Sequence, residues 1–195
     1  MTDWMRRFGL SEQTGIDLTG EDEGFVPSQD WKLERKGERW YVGDTYNLSI
    51  GQGDLLVTPI QVAAYTATIA NGGFNVTPHL KKDTGKTMIS PERVASEEII
   101  NTVRGGMRDC VTVGSCRRLS SMQVDIAGKT GTAQWATDQP NHAWFTSFAP
   151  YENPEIVVTV LLEEGGEGSA VAVPVAQKVL QAWWEMRNTP INTDN

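Results

Sequence analysis

Basic residues are in the minority in this chain: 17 lysines and arginines stand against 25 aspartates and glutamates, a formal net charge of −8. A protein that grips a phosphate backbone carries a basic excess or stripe, so a general nucleic-acid role is excluded. Histidine and cysteine are scarce, at two each. Cys110 and Cys116 make no CxxC pair, and His79 and His142 complete no zinc-ligand spacing, so no metal site is expected. The cysteines read as two free thiols, with a disulfide across a tight loop as the alternative in an exported chain. No stretch approaches the ~18–20 continuous apolar residues that span a bilayer. The opening segment MTDWMRRFGL lacks the apolar core of a signal peptide, so no targeting segment is read in it. Internal repeats and low-complexity tracts are missing too.

What is present is ordinary globular composition, 39% hydrophobic and 22% charged over 195 residues, enough for a real core. Trp4, Met5 and Phe8 place a helix over 2–9, stopped by Gly9. Residues 10–47 read as a long ordered connection anchored by Ile16, Leu18, Phe25, Val26 and Trp31. Thr58 as N-cap, Pro59 at the first helical position and Gln61 three residues after the cap predict a helix to about Ala70, ended by Asn71-Gly72-Gly73. After an extended stretch over 74–90, Ser90-Pro91 reads as the start of a second helix with Val94, Ile99, Val103 and Met107 on one face. Strands are expected over 123–136, 142–150 and 155–163. The last has apolar residues on both faces and reads as the central one. A final helix is expected from Pro174, with its packing stripe at Val175, Val179, Ala182, Trp183 and Met186, followed by the tail INTDN. Short links between the strands favour an α+β class with an antiparallel sheet flanked by helices.

One stretch, AGKTGTAQ at 127–134, invites a chemical reading. A phosphate loop requires GxxxxGK[ST], and the first glycine is replaced here by Gln123. Gly85-Lys86-Thr87 fails the same way, at Leu80. Asp83-Thr84-Gly85 spells a protease triplet without the second copy that a shared-proton pair needs, and reads as a turn. On a strand, Lys129, Gly131 and Ala133 project to one side, Thr130 and Thr132 to the other. A cation beside two hydroxyl donors on a strand edge suits an anionic, peptide-like ligand laid alongside as an added strand.

The chain resembles the penicillin-binding transpeptidases, in particular the class B, elongation-type penicillin-binding protein 2 group. TGIDLTGEDEGFVP (14–27), NLSIGQGDLLVTPIQVAAYTATIANGG (47–73), IAGKTGTAQ (126–134) and HAWFTSFAP (142–150) carry the likeness, in the family's order. The resemblance implies the β-lactamase/transpeptidase-like fold and a serine D,D-transpeptidase that cross-links peptidoglycan stem peptides, is acylated by β-lactams and uses no cofactor. It implies that Lys129 supplies positive charge, that Thr130 and Thr132 contact the terminal carboxylate, that Gly131 leaves room for the substrate backbone, and that the N–H of Thr132 is an oxyanion donor. For a full-length member it implies a membrane anchor, the extracytoplasmic face of the bacterial inner membrane and cell-elongation partners. No serine in the chain starts an SxxK or SxN motif. Ser28-Gln29-Asp30 spells SxD, but inside the loop after TGIDL, where Ser28 reads as a cap. The resemblance therefore implies that residues 1–195 are the C-terminal portion of a transpeptidase domain. It would lack the early strands and carry an exposed sheet edge prone to self-association. A stem-peptide or β-lactam binding module without catalysis is the alternative. His142 reads as a hydrogen-bonded histidine at a strand start, with a place beside the substrate groove as the second reading.

Overall fold

The structure, a computed structural model, describes residues 1–82 and 88–189. The triplets at 83–85 and 85–87 and the tail 191–195 lie outside those residues. Two compact units divide the chain, Met1–Val103 and Arg104–Asn195.

In the first unit α1, Thr2–Arg7, ends as expected, with Gly9 at φ +82°. The segment 10–47 departs from its reading as an irregular connection. It contains α2, Gln29–Lys36, and α3, Val42–Ser49. Ser28 caps α2, its Oγ accepting from the Trp31 amide at 3.1 Å, and Gly37 closes that helix at φ +67°. Periodicity hid α2 because its buried position is a lysine. Lys32 is 6% exposed, and its ammonium donates to both Asp44 oxygens at 2.8 and 2.7 Å. Of the expected anchors Val26 is buried, whereas Leu18 is exposed. The loop before α2 is held instead by Glu21, whose carboxylate accepts from the hydroxyl and amide of Thr14 and the amide of Gly15.

Helix α4 spans Pro59–Ala70, the range the caps imply. Thr58 Oγ1 accepts from the Gln61 amide at 3.2 Å, and Gln61 Oε1 accepts from the Thr58 amide at 3.0 Å. Gln61 also donates to the carbonyls of Glu12 and Glu23, at 2.8 Å each, so one buried side chain caps α4 and clamps the loop over it. Ser90-Pro91 does not open a helix. It lies in β2, Met88–Arg93, which pairs antiparallel with β1, Phe74–Thr77. The register slips opposite Phe74–Val76, and a bulge is where a sheet tolerates proline. The helix begins later, as α5, Glu97–Thr112, with Ser96 Oγ accepting from the Ile99 amide at 3.4 Å. Its buried residues are Ile100, Met107, Cys110 and Val111, while Ile99 and Val103 face solvent, so the expected face is displaced.

In the second unit a 3-10 turn at Arg117–Ser121 leads into a three-stranded antiparallel sheet: β3, Ala127–Ala133; β4, His142–Ala149; β5, Ile156–Leu162. The order is β3-β4-β5. The strand expected to be central, β5, is thus an edge among the described strands, and β4 takes the centre. Strand β4 earns that place with five consecutive buried residues, Phe145–Ala149. The last helix, α6, spans Gly168–Asn188, with Pro174 inside it rather than at its start. Its packed face is Ala172, Val173, Ala176 and Leu180. Of the expected stripe, Trp183 packs against the core but Val175, Val179 and Met186 are exposed. Outside the polar strip of Gln177, Lys178, Gln181 and Glu185 the apolar residues spread so widely that helical spacing alone does not choose the face.

Candidate functional site

Strand β3 carries AGKTGTA, and its register fixes where each side chain goes. Lys129 lies opposite Thr146, Thr130 opposite Phe145, Gly131 opposite Trp144 and Thr132 opposite Ala143. Paired residues share a face, so Thr130 and Thr132 lie on the side of the buried Phe145 and Ala143, and Lys129 on the other. The alternation read from the sequence holds. Lys129 is exposed, and its ammonium donates to the carbonyl of Thr130 at 2.6 Å. Next to it a hydroxyl pair, Thr146 and Thr159, spans β4 and β5 at 2.9 Å. Among the described strands β3 pairs with β4 alone and is an edge of the sheet.

Three glycines set the approach of neighbours to β3. A Cβ on Gly128 would stand 2.7 Å from the Phe145 ring and 2.9 Å from the Thr146 carbonyl oxygen, so this position is closed to a side chain by packing. At Gly131 a Cβ would meet that of Trp144 at 3.1 Å. A Cβ on Gly168 would collide with the carbonyl oxygens of Gly131 and Trp144. Thus the backbone that comes close to Gly131 in this structure is the first residue of α6. Gly128 and Gly168 escaped the sequence reading, because a glycine's packing partner is set by tertiary contacts.

The disulfide alternative is the one realised: Cys110 is bonded to Cys116, and the free-thiol reading is overturned. That bond closes the turn from α5 to the 3-10 segment and carries Ser115, whose Oγ lies 2.7 Å from Thr130 Oγ1. The sequence held no signal for this contact. Below the strand, Arg108 donates to the Ile126 carbonyl at 2.7 Å and pairs with Asp125, tying α5 to the residues that enter β3.

At the far end of β3, Trp135 stacks on His142 with ring centroids 5.5 Å apart and planes 3° from parallel. Trp135 Nε1 donates to the Pro140 carbonyl at 3.1 Å. His142 Nδ1 accepts from the Glu164 amide at 3.0 Å, which leaves the ring proton on Nε2 in the neutral form. His142 is therefore the hydrogen-bonded histidine of a strand start. The stack that braces the β3–β4 loop was not foreseen.

The profile of the penicillin-binding protein transpeptidase domain matches residues 1–181. A peptidoglycan D,D-transpeptidase of Haemophilus influenzae, MrdA, is 36% identical over 96% of this chain and 33% of its own length. The chain thus spans about a third of the curated relatives it matches. A complex between penicillin-binding protein 2 and MreC from Helicobacter pylori aligns at a TM-score of 0.85 with 34% identity, over 96% of this chain and 36% of that one. Penicillin-binding protein A of Mycobacterium tuberculosis, as its imipenem acyl-enzyme, aligns at 0.73 with 29% identity, over 94% and 41%.

Proposed function

The chain belongs to the penicillin-binding protein transpeptidase domain family, and from that membership we propose that it supplies the substrate-binding wall of a peptidoglycan D,D-transpeptidase. The observation that carries the reading is the Lys129-Thr130-Gly131-Thr132 run on a strand that pairs with β4 alone among the described strands. A stem peptide ending in D-alanyl-D-alanine pairs with that edge as an added strand. The Lys129 ammonium leaves its own backbone for the anionic ligand, and the hydroxyls of Thr130 and Thr132 donate to the terminal carboxylate. The Thr132 N–H donates to the oxyanion that forms when a serine attacks the penultimate carbonyl. The terminal D-alanine leaves as the amine, and the acyl group passes from the serine to an acceptor amine. No serine in these 195 residues stands three before a lysine, so the nucleophile comes from outside them.

In the complete protein this wall works on the outer face of the cytoplasmic membrane, anchored there and attended by cell-elongation partners. The MreC-bound and imipenem-acylated relatives support that reading of its partners and its inhibitors. Titration of the chain with N-acetyl-D-alanyl-D-alanine, followed by amide NMR, is expected to move the resonances of Lys129 to Thr132. Shifts confined to other elements would overturn the proposal. Incubation with a fluorescent penicillin is expected to leave no covalently labelled band. Such a band would show that the chain holds its own nucleophile.

A further inference from the structure

We propose that Ser115 is a positioning residue for ligand carboxylates: it orients the Thr130 hydroxyl, and the Cys110–Cys116 disulfide holds it in place to do so. The inference rests on the reading of β3 as the carboxylate-binding strand.

Two hydroxyls 2.7 Å apart share one proton between them and keep the other free. When Ser115 donates, Thr130 accepts and its own proton points away from Ser115, available to an incoming carboxylate. Thr130 is β-branched, so its side chain has few rotamers, and one fixed hydrogen bond selects among them. Left to itself on an exposed strand edge, the hydroxyl would be shared among waters and rotate freely.

Ser115 can do this because its turn is closed several times over. The amides of Val113 and Gly114 both donate to the Asp109 carbonyl at 2.9 Å, and the Cys116 amide donates to the Cys110 carbonyl at 2.8 Å. A Cβ on Gly114 would stand 2.9 Å from the Cys110 Cα, so the turn is wound as tightly as glycine permits. The disulfide joins its two ends, with Cys116 wholly buried. The Cys110 sulfur lies 3.4 Å from Ser115 Oγ. Ser115 itself is exposed, so its bond to Thr130 adds little net stability. An exposed hydroxyl on a covalently closed turn, in hydrogen-bond contact with the motif residue Thr130, is a device for orientation.

The test compares wild type with Ser115→Ala, Ser115→Thr and Cys110→Ala/Cys116→Ala. Binding of N-acetyl-D-alanyl-D-alanine and of its C-terminal carboxamide is measured by NMR titration, with threonine methyls labelled to follow Thr130. Ser115→Ala is expected to weaken the carboxylate ligand about fivefold to tenfold, the worth of roughly one oriented hydrogen bond. It is expected to leave the carboxamide unchanged and to move the Thr130 methyl resonance. A role in packing alone would weaken both ligands alike, and that result overturns the proposal. Ser115→Thr is expected to restore carboxylate binding. Should Ser115→Ala unfold, the isosteric pair Ser115→Thr and Ser115→Val makes the same comparison. Loss of the disulfide is expected to weaken carboxylate binding in wild type and to add nothing in the Ser115→Ala background; an equal loss in both separates the disulfide from Ser115 and sinks that part. If the wild-type chain binds the peptide at β3 while Ser115→Ala binds it equally well, only this inference fails. If the wild type moves no β3 resonance, the reading of β3 fails first.

Discussion

At the scale of single residues, Lys32 and Asp44 show how much a polar contact can substitute for an apolar one. The Lys32 ammonium, and then the Tyr41 amide, hold the Asp44 carboxyl below the usual carboxylate range. A depressed carboxyl stabilises the fold above its unfolded value of about 4, and that stabilisation is lost as pH falls through the folded value. Melting of the chain is therefore expected to drop as pH is lowered below about 4, and Asp44→Asn should flatten that drop. Equal slopes for variant and wild type, followed by circular dichroism, would assign the acid sensitivity elsewhere. Two glycines make a second residue-scale pair. Gly105 lies inside α5 with nothing near its missing Cβ, so Gly105→Ala is expected to stabilise by about 0.5–1 kcal/mol. Gly168 is jammed against two carbonyl oxygens, and Gly168→Ala should cost about 1–3 kcal/mol in urea denaturation.

At the scale of elements, α4 and α6 behave oppositely. The start of α4 was legible because its signals are local: Thr58 and Gln61 bond to each other within one turn and Pro59 suits the first helical position, whatever the rest of the chain does. The packed face of α6 was not legible, because Val173 and Leu180 alternate with Val175 and Val179 and only the sheet decides which pair is covered. Leu180→Ala is expected to cost about 2–5 kcal/mol, whereas Val179→Thr should stay within about 0.5 kcal/mol. Urea midpoints that rank the two the other way would place the sheet on the opposite face. The missed α2 has a related cause. A helix whose inward position is Lys32, and whose Leu33 is exposed, shows no apolar stripe to read until its partner, Asp44, is brought to it by α3.

At the scale of the whole molecule, the sheet of the second unit has two edges, β3 and β5, each paired on one side among the described strands. An open edge presents unpaired backbone groups, and copies of the chain can satisfy them by pairing with one another. Lys129 on β3 opposes this by its charge. No comparable charge lies on β5, Ile156–Leu162, so β5 is the edge expected to associate. Sedimentation of the chain over a range of concentrations is expected to show self-association; a monomer throughout would argue that both edges are shielded.

The sequence alone determined the class, the three strands and their antiparallel order of appearance, the limits of α4, and the identity of the motif strand with its two-sided display of Lys129 and Thr130. These follow from short-range rules: alternation, caps and a motif read in order. Tertiary structure alone decided that β4 is central, which face of α6 is covered, that Cys110 bonds Cys116, that Gly168 sits against Gly131, and that Ser115 reaches Thr130. Each of those is a meeting of segments whose partners are chosen by packing, and no local pattern in either segment names the other.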